Sequence, residues 1–452
     1  MTGTTQVFEV SSAYQLLALA AALDSGAFPP AGRRLLLTSV NATEPEVARR
    51  LEHDPALTSV LARFDAVSSY NDLIAPLHPK GFRPRADELP IWERLFRREL
   101  GIPADDEVHL ALESIQTPPS RSILSVFATS SATVYAEGLM SYGPTRDPLP
   151  SRMWSRIEHV LHLDLVPGLA PLLLSEHGIP AVPIDAAAFR AVVAEIGAGR
   201  SRPARGPHAL LLGQYLAPLR LLPAREESAL YAGLLDAAAA AGHSLVVYKP
   251  HPGAPAAYAD ALAAHAERIG LRFEVEHDPV PAEVLYQTDP PDVVLGCFST
   301  GLVTARRFWH IPAMSAGTRE VLRRLPLFED SNRVPLVLID LTVPRAGAAP
   351  AEPVDVEPAD IARVLTAVGY AMQWQAYAGR RSAAAGALRA PGAAARTFVP
   401  PDRLTLLRLP GGAGEALDDA AFRRHVERRE RRAEARLLVG SAARRVRALL
   451  GR

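Results

Sequence analysis

Short apolar runs alternate with longer amphipathic stretches along most of the chain. The run Gln6-Val7-Phe8-Glu9-Val10 predicts a strand, and 13–23 predicts the helix that follows it. A second strand is predicted over 34–40, where Ser39, Asn41 and Thr43 end the run and offer a cap to a helix over 44–52. Strands over 64–68, 108–112 and 133–136, with an amphipathic helix over 91–100, continue the first half. The pattern stops in the Gly-, Pro- and Arg-rich stretch 197–207. It then restarts with strand 208–212, helix 226–241, strand 244–248, helix 254–269, strands 271–275 and 292–295, and helix 301–308. A last strand is expected over 334–339. Strands separated by helical patterns specify βαβ units and mostly parallel sheets.

The expected fold is therefore α/β, with two Rossmann-like domains facing a cleft and a C-terminal helical extension. A chain of 452 residues exceeds what one compact core holds, which agrees with this division. Residues 1–196 form the first domain and 197–207 the linker. Residues 208–345 form the second domain, which carries the nucleotide loops. An Ala/Pro-rich segment, 346–420, holds a crossover helix over 361–375 and a low-complexity loop over 382–414. A basic amphipathic helix, 421–452, ends the chain.

Formal net charge is zero, so no global field draws the molecule to nucleic acid. The balance is uneven: from Ala421 onward eleven arginines face three glutamates, a local net charge of +8. Leu438, Ala442, Val446, Leu449 and Leu450 share one face of this tail. Such a helix fits an anionic membrane surface, and equally a solvated helix laced with ion pairs. Cys297 is the single cysteine, so neither an intrachain disulfide nor a cysteine metal site can form. It reads as a small buried hydrophobe. With no basic leader and no apolar run of spanning length, the expected location is cytoplasmic, peripheral on the inner leaflet through the tail.

The chemistry concentrates at strand ends. Lys249-Pro250-His251-Pro252 follows an apolar strand and presents two cationic donors at the carboxyl edge of a sheet. Open α/β sheets bind ligands at that edge. A departing phosphate needs neighbours that neutralise its growing charge. A second loop, Gly296-Cys297-Phe298-Ser299-Thr300-Gly301, places two hydroxyls at a helix start, as an anion site or a plain N-cap. The strand over 208–212 ends in Gly213-Gln214. In the first domain, Ala136-Glu137-Gly138 sets a carboxylate at a strand end, as a base or as a turn residue. Asp164 and the 105–107 acidic cluster carry weaker signals. No Asp-x-Asp grips a metal–nucleotide complex, and no metal or cofactor is expected. Walker, Gly-x-Gly-x-x-Gly and Gly-x-Ser-x-Gly motifs are absent, which counts against kinases, dehydrogenases and serine hydrolases.

These loops together resemble the bacterial α-2,8-polysialyltransferase family and its relatives among bacterial sialyltransferases. That group carries an acidic pair followed by Gly, then a His-Pro motif, then a Ser-Ser/Thr pair. The matching positions are Ala136-Glu137-Gly138, His251-Pro252 and Ser299-Thr300. The stretches Phe8 to Leu17 and Leu212 to Leu216 are also similar, and the likeness spans roughly residues 6–340. The resemblance implies a GT-B glycosyltransferase that is inverting and metal-independent. Such an enzyme moves sialic acid, or a related nonulosonic acid, from a CMP-sugar to a glycan or glycolipid acceptor, as in capsule polysaccharide synthesis. It implies Glu137 as base and His251 as the group assisting CMP departure. Gly213, Gln214, Lys249, His251, Pro252, Ser299 and Thr300 would hold the donor. Ala136 replaces the first acidic residue of the pair, so Glu137 is the expected base. The alternatives are a nucleotide-sugar epimerase of the same architecture and a catalytically impaired CMP-sugar-binding protein.

Overall fold

The computed structural model describes residues 3–113, 115–136, 138–200, 205–251, 254–347, 356–390 and 394–413. The basic tail over 421–452 lies outside the described residues. The chain groups into two compact units, Met1–Ile361, which contains both sheets, and Ala362–Arg452.

The first sheet has seven strands: β1 (Thr4–Val10), β2 (Arg33–Thr38), β3 (Ala66–Ser69), β4 (Glu107–Leu112), β5 (Ser131–Ala136), β6 (Ile157–Leu163) and β7 (Ala181–Ile184). Their order is β3-β2-β1-β4-β5-β6-β7, and every pairing is parallel. Central strands of such a sheet are covered on both faces and read as nearly continuous apolar runs. Val7, Phe8 and Val10 are all fully buried, as are Leu36 and Leu37 of β2. On one face Val7 lies between Leu35 and Leu110 in register, above a core that includes Phe96 and Phe127. Phe96 comes from the amphipathic helix Leu89–Glu99. Each fully buried side chain of this size stabilises the fold by about 1.5–3 kcal/mol.

The second sheet comprises β8 (Ala209–Leu212), β9 (Leu245–Lys249), β10 (Arg272–Val275), β11 (Val293–Gly296) and β12 (Ala313–Ser315). Its order is β10-β9-β8-β11-β12, again parallel throughout. Strand order reverses between β1 and β4 in the first sheet and between β8 and β11 in the second. Such reversals open a crevice beyond the carboxyl ends of the strands.

Four expectations differ from the fold. Residues 334–339 belong to a helix, Arg333–Thr342, and the sheet edge is β12 instead. Val334 to Leu341 is buried on every side, and a short apolar run without polar punctuation does not reveal its period. The helix over 44–52 is replaced by turns and a 3-10 turn at Leu51–His53. Val47 is 81% exposed there, so the segment has no apolar stripe to bury. Third, β6, β7 and the helix Ala186–Ala198 complete the first domain beyond the expected strands. Glu158, His159 and His162 interrupt the β6 run, and Pro183 sits in β7, where a sheet edge tolerates it. That helix also extends into the start of the expected linker.

Finally, the low-complexity stretch folds in its described parts into the helices Arg381–Arg389, Ala395–Phe398 and Pro401–Leu406. Arg403 donates from Nε and Nη2 to the Ala371 carbonyl, at 2.8 and 2.6 Å. Arg381 caps the carbonyls of Leu407 and Arg408, at 2.8 and 2.9 Å. These contacts, with buried Phe398, Leu404 and Leu409, supply the order that an Ala-rich composition conceals. The helix expected over 361–375 spans Pro358–Met372.

Candidate functional site

The second-domain crevice is built by three loops. After β8 the chain turns through Gly213, Gln214 and Tyr215, and after β11 through Cys297, Phe298 and Ser299. Gln214 ties the two across the strand-order reversal, its Oε1 accepting from the Phe298 backbone N–H at 2.7 Å. Gln214 N–H in turn donates to the Tyr231 hydroxyl at 2.7 Å, and Gly213 N–H to the Lys249 carbonyl at 2.9 Å. The third loop follows β9 and carries His251. The Tyr215 ring lies 6.3 Å from the His251 ring at 27°, and meets Tyr258 edge-on at 5.4 Å.

Ser299 caps the helix Thr300–Trp309, its Oγ accepting from Gly301 N–H at 3.2 Å. The cap and the anion-site readings both fit this geometry, since the helix N-terminus lies at the sheet's carboxyl edge. Thr300 reaches the other domain: its Oγ1 accepts from Leu139 N–H at 3.3 Å. A Cβ on Gly138 would stand 3.4 Å from the same oxygen, an ordinary van der Waals contact. Gly138 and Leu139 leave β5 into a 3-10 turn, Leu139–Tyr142, that is fastened to the β6 exit. Ser141 Oγ donates to Gly138 O at 2.8 Å, and Tyr142 Oη accepts from Leu165 and Val166 N–H at 3.1 and 3.3 Å. Next along β6, Asp164 pairs with Arg307 Nη2 at 2.8 Å, two turns along the Thr300–Trp309 helix. The carboxyl edges of the two sheets thus face each other through one helix.

Of the expected site residues, Gln214, Ser299 and Thr300 meet around the β8/β11 crevice, and Tyr215 links them to His251. Glu137 and Pro252 lie outside the described residues. Ala136 is the last residue of β5, buried and opposite His162 of β6. Lys249 Nζ donates to the Asp278 carbonyl at 3.0 Å. Its charge also acts on the buried Glu283 carboxyl, which burial pushes up and the Thr304 hydroxyl and Lys249 pull back. His251 is exposed at its surface, yet the protein around the ring lowers its pKa by desolvation, with Glu227 opposing the shift. A phosphate bound beside the ring would favour the protonated form.

Sequence reasoning missed Tyr215 and Glu227. Glu227 is fully buried, and its two oxygens accept from Leu216 N–H at 2.6 Å and Ala217 N–H at 2.8 Å. A signal existed: Glu227, Tyr231, Leu234, Leu235 and Ala238 form the buried face of the helix Ala224–Ala240. A carboxylate on an otherwise apolar stripe needs a partner. Among the described residues no group of three His, Cys, Asp or Glu side chains could hold a metal ion. No helix among them is long and apolar enough to cross a membrane.

Two Rossmann-like domains with facing carboxyl edges, and a hydroxyl-bearing helix start at the reversal point of the second, define a GT-B-type architecture. The family follows from the sequence: the family model described as Alpha-2,8-polysialyltransferase (POLYST) matches residues 6–318, and the chain belongs to this family. It is a sialyltransferase-like glycosyltransferase. A search of curated proteins found no match. Among solved structures, the chain is similar to residues 113–497 of a sialyltransferase from Photobacterium damselae, corresponding to its GT-B domain. Identity is 12%, coverage 75% of this chain and 96% of that one, and TM-score 0.41. It is also similar to Acinetobacter baumannii MurG, at 11% identity, 84% and 94% coverage and TM-score 0.38. A third is UDP-GlcNAc 2-epimerase from Neisseria meningitidis bound to UDP-GlcNAc, at 10% identity, 71% and 85% coverage and TM-score 0.40.

Proposed function

We propose that this protein transfers sialic acid, or a related nonulosonic acid, from a CMP-sugar to a glycan acceptor with inversion at the anomeric carbon and without a metal. The observation that carries the reading is the bond between Thr300 Oγ1 and Leu139 N–H. It holds the chain immediately after the acidic loop against the helix start proposed to grip the CMP phosphate. Glu137 takes the proton of the acceptor hydroxyl. The acceptor oxygen bonds to the anomeric carbon as the bond to the phosphate oxygen breaks, and the electron pair leaves with CMP. His251 donates to that phosphate, while Ser299, Thr300 and the helix N-terminus stabilise its charge. Gly213 and Gln214 complete the donor site beneath, and Lys249 contributes positive potential nearby. An acceptor ending in sialic acid fits the family's α-2,8 description. Proposed to follow from this reading are a cytoplasmic location and contact of the 421–452 tail with an anionic membrane.

The test is transfer from CMP-sialic acid to a sialylated oligosaccharide, read as CMP release and product mass, with and without EDTA. EDTA-insensitive product, lost at least 100-fold in His251→Ala and in Glu137→Gln, is expected. A Glu137→Gln enzyme with parental turnover removes the base assignment. Stabilisation by CMP without any product would instead define a CMP-sugar-binding protein. Stabilisation by UDP and not CMP would overturn the donor.

A further inference from the structure

The loop that joins the two halves of the phosphate site rests on one buried carboxylate. We propose that Glu227 is a positioning residue for His251, clamping the 213–217 loop so that the Tyr215 ring is held beside the imidazole. This deepens the transferase reading and rests on His251 as the group that meets the departing phosphate.

Three observations carry it. Both Glu227 oxygens hold backbone N–H groups of consecutive residues, Leu216 and Ala217, immediately after Tyr215. Tyr215 itself has a φ of 56°, a left-handed conformation that a bulky side chain rarely adopts and that its surroundings must impose. That conformation presents the ring to His251 and to Tyr258. The same loop fixes the other half of the site, because Gln214, the residue before Tyr215, holds Phe298 N–H at the entrance to Ser299.

The groups placed near His251 come from several elements. Tyr215 comes from the loop, Tyr258 from the helix Ala256–Arg268, Lys249 from its own strand and Glu227 from the helix Ala224–Ala240. The Glu227 charge acts on the ring and favours the protonated form that a departing phosphate requires, against the desolvation that lowers it. A purely structural Glu227 would hold the loop and leave the chemistry of the imidazole untouched.

The experiment is an NMR titration of the full chain labelled at histidine, with His251 assigned by its absence in His251→Ala. In Glu227→Gln the carboxamide can still accept one backbone N–H, but its NH2 faces the other, and the charge is gone. His251 is expected to titrate lower than in the parent. Tyr215→Leu removes part of the protein packed beside the ring, lessens its desolvation and shifts His251 upward. Glu227→Asp, which keeps the charge on a shorter arm, restores much of the parental value. In transfer assays Glu227→Gln moves the alkaline limb of the pH profile to lower pH and reduces kcat about 10-fold or more. An unchanged His251 titration in Glu227→Gln, with only a lower Tm, overturns the proposal. Should Glu227→Gln fail to fold, an unchanged titration in Tyr215→Leu does the same. The titration needs no turnover, so a parent inactive on CMP-sialic acid would refute the donor reading and leave this inference decided separately.

Discussion

Gly213→Ala is the sharpest test of how the crevice is built. Gly213 follows β8 directly, and its N–H is pinned to the Lys249 carbonyl at 2.9 Å, so its backbone cannot drift freely. A Cβ there would stand 2.5 Å from the Tyr248 hydroxyl oxygen and 3.0 Å from two ring carbons, Cε2 and Cζ. That ring is 1% exposed, stacked on Phe273 at 5.9 Å and flanked by Tyr231 at 6.4 Å. It has no free side to swing toward, so either the loop lifts or the aromatic layer shifts. Overpacking of this kind costs about 1–3 kcal/mol. For a cooperative unit of about 150–250 residues that corresponds to a fall in Tm of roughly 2–12 °C. Lifting the loop also pulls Gln214 from Phe298 N–H, a loss of about 0.5–1.5 kcal/mol, which weakens CMP binding roughly 2- to 10-fold.

The aromatic contact can be isolated. Tyr248→Phe deletes the oxygen at 2.5 Å and leaves the carbons at 3.0 Å, so it should rescue Gly213→Ala in part. The expected coupling is at least about 0.5 kcal/mol in favour of the double mutant. Thermal unfolding and calorimetric titration with CMP on the four proteins supply the data. A Gly213→Ala protein with parental Tm and CMP affinity would refute the packing argument, and strict additivity in the cycle would refute the role of Tyr248.

Burial lowers the pKa values of His109 and His162, so the folded chain resists protons that the unfolded chain binds near pH 6.5. These groups therefore add stability above that pH, and it is lost as pH falls through 6.5 toward their folded values. Burial raises Glu9 and Glu283, whose effect has the opposite sign: their desolvation cost is relieved as pH falls. Urea unfolding of the parent and His109→Gln between pH 7 and 5 separates the terms, and an equal slope in both proteins counts against the histidine contribution. Cys297 is fully buried and its thiol is pushed up by burial, so it should resist a thiol reagent at pH 8 and react once per chain in denaturant; rapid native labelling contradicts its placement. The partly exposed Asp164–Arg307 pair should matter little for folding, with Asp164→Asn costing under about 1 kcal/mol by denaturant titration; a loss above about 2 kcal/mol would mean the pair holds more than its surface geometry implies.

How much of this was legible in the sequence follows from how locally each feature is encoded. The strands that lead into Gly213, His251 and Ser299 announce themselves by an apolar run and a break, and the alternation alone leads to parallel sheets. The helix Arg333–Thr342 has no such local mark, because burial on every side erases the polar face that would reveal its period. The bond from Thr300 to Leu139 joins residues 161 positions apart, and no spacing rule connects them. Glu227 lies between these extremes. Its identity and its place on an apolar helical face are local, but its partners lie in a loop that precedes the helix, which only the folded crevice brings above it. A buried carboxylate that spends both oxygens on consecutive backbone N–H groups fixes a loop conformation rather than a contact between helices. The residue held in that conformation is the strained Tyr215, and the ring it lies beside is the His251 that the sequence singled out first. The unexplained polar position on an apolar face thus leads to the support of the reactive group.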